Sequence, residues 1–212
     1  SDVDGDDLTY TIIGGSDITA SLSGSNISFS APDNFNGSES FTVSVTDGSV
    51  TVSQTFTVTV NPVNDGPVAT AGLSGTTDED QSTVVTLSGS DIDGDDLIFS
   101  VGSALNGTLD LNGSLVTYTP DINYNGLDSF DFTVSDGSES STETVTLTVS
   151  AVNDAPVLAT VSDVSFDEDG TTSTTLSASD VDGGDLTYSI IGGSDITASL
   201  SGSNISFSAP DN

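Results

Sequence analysis

Phe41-Thr42-Val43-Ser44-Val45-Thr46-Asp47-Gly48-Ser49 places three apolar residues on alternate positions and closes on an Asp-Gly turn. Successive side chains of an extended strand point to opposite faces, so the alternation describes a half-buried strand with one apolar and one hydroxyl face. Phe56, Val58 and Val60 alternate with Thr55, Thr57 and Thr59 just beyond and describe a second. Both return 89 residues later, as Phe130-Asp131-Phe132-Thr133-Val134-Ser135-Asp136-Gly137-Ser138 and as Val145, Leu147 and Val149.

The same interval governs the rest of the chain. Ser1-Asp2-Val3-Asp4-Gly5 recurs as Ser90-Asp91-Ile92-Asp93-Gly94 and as Ser179-Asp180-Val181-Asp182-Gly183. Val63-Asn64-Asp65 recurs as Val152-Asn153-Asp154, and Asp78-Glu79-Asp80 as Asp167-Glu168-Asp169. Fixed-period self-similarity identifies a tandem array. Residues 1–34 and 179–212 differ only at Asp6/Gly184 and Thr11/Ser189, whereas the middle copy has diverged, so the larger unit is 178 residues of two alternating modules. Pro67 and Pro156 follow Asn-Asp after the last strand of a module and mark the junctions. The expected domains are a partial module over 1–65, a whole one over 66–154 and a partial one over 155–212. Residues 155–178 followed by a stretch of the 1–65 type restore one copy, so the chain reads as a window on a longer array.

Asp-Gly, Gly-Gly and Asn-Gly punctuation separates the runs, at Asp47-Gly48, Gly14-Gly15, Asn106-Gly107, Asn112-Gly113 and Asn125-Gly126. No segment carries a 3.6-residue apolar period. Several short antiparallel strands per repeat, apolar on one side, predict an all-β chain of tandem immunoglobulin-like sandwiches.

Composition narrows the chemistry. There are 33 Asp and Glu and no Lys, Arg or His, a net charge of −33. Nucleic acid and an anionic membrane surface both require a basic patch, so neither is a partner. Without Cys or His the soft-metal sites lack ligands. Without Lys no intramolecular isopeptide bond can form, and without Lys and Arg trypsin has no cleavage site. Like charge at this density opposes compaction. A hard, oxygen-liganded cation from solvent is what can offset it.

The acidic motifs all fall at predicted strand ends, where the loops of a sandwich gather at its poles. Asp-Gly alone is a common turn. Four acidic motifs in matching phase, with no base to pair them, point instead to calcium, which takes six to eight oxygens in flexible geometry. The spacing is not an EF-hand: counted from Asp2, the sixth and twelfth places hold Asp7 and Ile13.

These residues resemble cadherin repeats in their bacterial cadherin-like form, over the whole chain. Asp180-Val181-Asp182-Gly183 with Leu186-Thr187-Tyr188-Ser189-Ile190 looks like the cadherin Asp-x-Asp loop and its following strand. Val45-Thr46-Asp47-Gly48 and Val134-Ser135-Asp136-Gly137 look like the Ala-Thr-Asp-Gly turn, and Val152-Asn153-Asp154-Ala155-Pro156 like the linker. The resemblance implies calcium between successive modules. Carried over, Asn64 and Asp65 would act with Asp91, Asp93 and Asp136 at the first junction, and Glu79, Asn153 and Asp154 with Asp180 and Asp182 at the second. Asp2, Asp4, Asp47, Asp78, Asp80 and Glu168 belong to the same motifs. The linker lacks the family's second Asn, and Glu39 and Asp128 are the nearest counterparts of its missing Asp-Arg-Glu motif.

The function expected is structural: a calcium-stiffened stalk or filament at a prokaryotic surface, its partners being neighbouring modules, other copies or a surface ligand. Direct adhesion to like modules or a glycan is the alternative, which an exposed aromatic platform would favour. Paired carboxylates can hydrolyse glycosides, but repetition of every acidic motif argues against a unique active site, so no enzyme is expected. Asn26-Ile27-Ser28, Asn36-Gly37-Ser38, Asn106-Gly107-Thr108 and Asn112-Gly113-Ser114 match the N-glycosylation pattern, as chance produces in a chain this rich in Asn, Ser and Thr.

Overall fold

The structure, a computed structural model, describes Gly5 and residues 7–210. Among the described residues every regular element is a strand and none is a helix, as the absence of a 3.6-residue period requires. The first repeat contributes Thr9–Gly14 (β1), Thr19–Ser23 (β2), Asn26–Ser30 (β3), Gly37–Thr46 (β4) and Thr51–Val60 (β5). The second contributes Val68–Ala69 (β6), Ser74–Asp78 (β7), Thr83–Thr86 (β8), Gly89–Ser90 (β9), Ile98–Val101 (β10), Gly107–Asn112 (β11), Leu115–Pro120 (β12), Gly126–Ser135 (β13) and Ser140–Ser150 (β14). The third contributes Val157–Leu158 (β15), Thr171–Thr175 (β16), Ala178–Ser179 (β17), Thr197–Ser201 (β18) and Asn204–Ser208 (β19).

The chain divides into two compact units: Ser1–Ala71, Leu87–Ser100 and Phe132–Glu143 form one, and Gly72–Thr86, Val101–Asp131 and Thr144–Asn212 the other. In the first, β1, β4 and β5 form an antiparallel sheet, and β2 pairs with β3. The alternation in the sequence becomes its two faces. On one, hydroxyls meet across β4 and β5, Ser38 with Thr59 at 2.8 Å, Thr42 with Thr55 at 2.9 Å and Ser44 with Ser53 at 2.7 Å. On the other, Phe41 is fully buried and its ring lies 5.2 Å from Phe29 and 6.2 Å from Phe56.

In the second unit β11, β12 and β8 form one antiparallel sheet, while β7 runs parallel to β14 from Ser74↔Thr146 to Asp78↔Ser150. Apolar side chains of the two layers meet at Gly75, where an added Cβ would lie 2.8 Å from Val85 of β8 and 3.1 Å from Leu147 of β14. That contact is sheet-on-sheet packing, a sandwich. Its core takes the alternate positions of the strands: Val116, Tyr118 and Phe130, with Val145, Leu147 and Val149, are all buried. Each such side chain contributes about 1.5–3 kcal/mol by leaving water.

Asn106-Gly107 separates β10 from β11 as expected, and one local expectation is corrected. Gly107 itself opens β11, and an added Cβ there would lie 2.5 Å from the Tyr118 ring. Close approach, not backbone freedom, demands that glycine. Leu186–Ile190 is not a strand. The nearly identical Thr9–Gly14 is one because β4 lies beside it to accept its hydrogen bonds; no described strand pairs with Leu186–Ile190.

Candidate metal centre

The first linker is tied to its acidic loop by the short pair β6–β9, in which Val68 faces Ser90 and Ala69 faces Gly89. Thr70 N–H donates to the Ser88 carbonyl at 2.9 Å and extends the bridge. Gly89 allows the approach: an added Cβ would lie 3.0 Å from the Val68 carbonyl oxygen and 3.1 Å from Val134. With the chain so pinned, Asp65 N–H donates to Asp93 Oδ2 at 2.7 Å, and Asn64 Nδ2 donates to Asp136 Oδ2 at 3.0 Å.

Within the loop, Asp91 Oδ1 accepts from the backbone N–H of Asp93 at 2.8 Å and of Gly94 at 3.1 Å. Asp136 Oδ1 does the same for Ser138 at 2.6 Å and Glu139 at 2.7 Å. These are Asx turns. The Glu139 N–H, followed by Asn64 and Ser138, holds the Asp136 carboxyl below its ordinary value, so it is ionised. One oxygen each from Asp91, Asp95 and Asp136 lie within 4.8 Å of one another. Asp91 Oδ2 is buried without a hydrogen-bond partner.

A buried carboxylate oxygen with no donor is costly, and the chain has no cationic side chain to meet it. Three converging carboxylates in such a place fit a hard divalent cation. Asp95 was not among the residues expected here. Its signal is the fifth position of Asp91-Ile92-Asp93-Gly94-Asp95, an odd place in the loop like Asp91 and Asp93.

The second junction repeats the linker-to-loop bonding 89 residues on, with Gly184 in the place of Asp95. Val157 faces Ser179 and Leu158 faces Ala178 in β15–β17, and Asp154 N–H donates to Asp182 Oδ2 at 2.6 Å. Asp180 Oδ1 accepts from Asp182 N–H at 3.0 Å. The parallel register of β7 and β14 carries Glu79 past Ser150, whose carbonyl accepts the Glu79 N–H at 2.9 Å. The Glu79 side chain therefore lies under the linker, almost fully buried, and takes the Val152 N–H at 2.5 Å. Burial, followed by the charges of Asp182, Asp80, Glu79 and Asp180, pushes the Asp154 carboxyl above its ordinary value. Asp154 Oδ2 is also buried and unpartnered. Asn153 turns its amide to the Asp154 carbonyl instead.

Other expected residues lie elsewhere. Glu39 takes the N–H groups of Ser16, Asp17 and Ile18 and the Ser16 hydroxyl, and these hold its carboxyl down at about 2. Asp128, its counterpart one repeat on, takes the N–H groups of Leu105, Asn106 and Ser129 and the Tyr118 hydroxyl at 2.9 Å. Burial raises the Asp128 carboxyl, but these four donors outweigh it and the net displacement is downward. Both anchor a loop within a repeat. Asp47 forms the Asx turn of its own hairpin, with Ser49 and Val50 N–H at 2.7 Å. Asp78 ends β7, and Asp80 Oδ1 accepts from Asn123 N–H at 3.0 Å. Glu168 is exposed, unlike its counterpart Glu79. Asp2 and Asp4 lie outside the described residues.

Solved structures similar to this chain include two cadherin fragments and a hydrolase. Human protocadherin-24 EC1-2 is 20% identical with a TM-score of 0.48, over 73% of this chain and 85% of that one. Drosophila N-cadherin EC1-4 is 12% identical with a TM-score of 0.47, over all of this chain and 60% of that one. An endo-fucoidan hydrolase of glycoside hydrolase family 107 is 24% identical with a TM-score of 0.35, over 70% of this chain. The chain spans only 24% of that hydrolase's length. No curated protein matches. The bacterial Ig domain family matches residues 1–61 and again residues 64–149, consecutive stretches that together exceed half of the sequence. The chain therefore belongs to the bacterial Ig domain family.

Proposed function

We propose that this chain is a calcium-stiffened repeat region of an extracellular filament or adhesin stalk. The observation that carries the reading is Asp91 Oδ2, buried and unpartnered beside the carboxylates of Asp95 and Asp136 on a chain without a basic residue. Calcium would be held there by Asp91, Asp95 and Asp136, and at the second junction by Asp154, Asp180 and Asp182 with Glu79 nearby. The chain's own residues arrange the site: Asx turns fix the loop, and Asp93 and Asp182 hold the linkers against it. At the first junction Asp65 bonds to Asp93 and Asn64 to Asp136, so a cation that fixes the loop and turn would fix the linker bound to them. Bacterial Ig domains are commonly extracellular or surface-exposed, and no helix among the described residues is long and apolar enough to cross a membrane.

Calcium titration of the 212-residue chain by calorimetry, with scattering in chelator and in calcium, tests this. Saturable uptake and a maximum dimension that shortens on chelation are expected. Absence of uptake, or a dimension indifferent to the ion, overturns it.

A further inference from the structure

The second repeat carries an open groove of about 550 Å³ whose lining includes Ala104, Leu105, Leu127, Asp128 and Leu147. Leu147 reaches it from the core, but Leu105 and Leu127 are 86% and 78% exposed. One apolar side chain on a surface is ordinary. Two large ones on the same groove form a patch that the repeat itself leaves unused. The fold does not require them: the anchoring carboxylate of Asp128 is provided in the first repeat by Glu39, and the residues at the places of Leu105 and Leu127 there are Ser16 and Ser38, both exposed. The third repeat also has serine, Ser194, at the place of Leu105. The leucines therefore answer to something outside the repeat.

The groove is also charged in one sense only. Asp128 accepts from three backbone N–H groups and the Tyr118 hydroxyl, all uncharged donors, so its carboxylate keeps its negative charge. The chain has no basic residue to set against it. A second copy would bring a further net charge of −33 to the contact, whereas a basic partner brings the opposite sign. The volume suits a few side chains of one segment, not a broad folded face.

We propose that this groove is a docking site for a basic amphipathic segment of another protein, in which an aliphatic side chain lies between Leu105 and Leu127 while a neighbouring Lys or Arg faces the Asp128 charge. Removal of the two leucines from water supplies the affinity, and the net charge of the chain draws the segment in. Selectivity for the second repeat comes from the leucines, because the first repeat offers the corresponding carboxylate, Glu39, with serine at both places. Calcium takes no part, and the proposal stands apart from the function above.

The 212-residue chain contains its own control in the first repeat. A short peptide alternating Lys and Leu is titrated into it in saturating calcium, and amide resonances are followed residue by residue. Expected is a saturable shift at residues 103–106 and 127–129, with residues 16–18 and 38–39 unmoved. The full chain carrying Leu105→Ser with Leu127→Ser, the residues that the first repeat has at these places, should bind the peptide about tenfold or more weakly. Its Tyr118 and Val145 amides should stay in place and report an intact core. A peptide alternating Lys and Ser should not distinguish the variant from the unaltered chain, and one alternating Glu and Leu should not bind. Shifts that fall elsewhere or equally on the first repeat, a variant that binds as tightly, or a Lys–Ser or Glu–Leu peptide that matches the Lys–Leu peptide overturns the proposal. Self-association of the chain that depends on the two leucines would give the groove to a second copy and overturn it as well.

Discussion

Asp65 gives its backbone N–H to the Asp93 carboxylate at 2.7 Å, and one repeat later Asp154 gives its own to Asp182 at 2.6 Å. The bond fastens a linker to the acidic loop of the module it leads into, and it recurs because the residues on both sides keep the 89-residue phase. Removing the acceptor by Asp93→Ala should free the Asp65 amide. A charged hydrogen bond contributes roughly 1.5–3 kcal/mol, so exchange of that amide should quicken by about tenfold or more. Amide exchange resolved by residue reads this, and the protection of Val145 and Leu147 should stay unchanged.

If Asp91, Asp95 and Asp136 hold calcium together, Asp95→Asn removes one of three charges without changing shape. Calcium affinity at the first junction should fall roughly tenfold, since affinity is set by ligand charge count. Calorimetry should show one weakened class of sites beside an unchanged one. Two unchanged classes would remove Asp95 from the site.

Glu39 sets a pH dependence for the first repeat. Its carboxyl is lowered from 4.5 to about 2, foremost by the Ser16 hydroxyl and the Asp17 N–H. A lowered value means that the ionised form is favoured in the folded state, so the stabilisation is complete above pH 4.5 and is lost as pH falls toward 2. The amide resonances of Ser16, Asp17 and Ile18 should shift together through that window. In Glu39→Gln they should not titrate there.

Asp128 plays the same part in the second repeat, with burial added. Asp128→Ala takes the acceptor from the Leu105, Asn106 and Ser129 N–H groups and leaves the buried Tyr118 hydroxyl only its longer bond to the Asn106 carbonyl at 3.2 Å. The loss should be about 2–4 kcal/mol. Tyr118→Phe deletes one donor only and should lose about 1 kcal/mol. Denaturant midpoints of the two variants give the comparison.

The strands were legible because alternation of Phe, Val and Thr is imposed by one buried face, and the junctions because their residues recur in phase. What the sequence could not separate is the use to which a carboxylate is put. Glu39 and Asp128 look like metal ligands in a list of acids, yet their oxygens accept from loop amides some 22 residues away in sequence, at residues 16–18 and 105–106, which only the folded repeat brings to them. Leu186–Ile190 has every local mark of a strand and forms none, since a strand requires a partner as well as a pattern. Asp95 was overlooked because the resemblance supplied only the first two acids of its loop.

The parallel register of β7 with β14 also fixes how the second repeat responds to tension. After the short β6 the repeat runs through β7 and it leaves through β14, and these two lie side by side pointing the same way. A pull applied at entry and exit drags them past each other lengthwise, loading the bonds between Ser74–Asp78 and Thr146–Ser150 at once instead of peeling them in turn. Glu79, clasping the Val152 amide, takes up strain where β14 ends. Stretched singly, the second repeat should therefore give way in one abrupt step, where strands peeled from one end would part gradually.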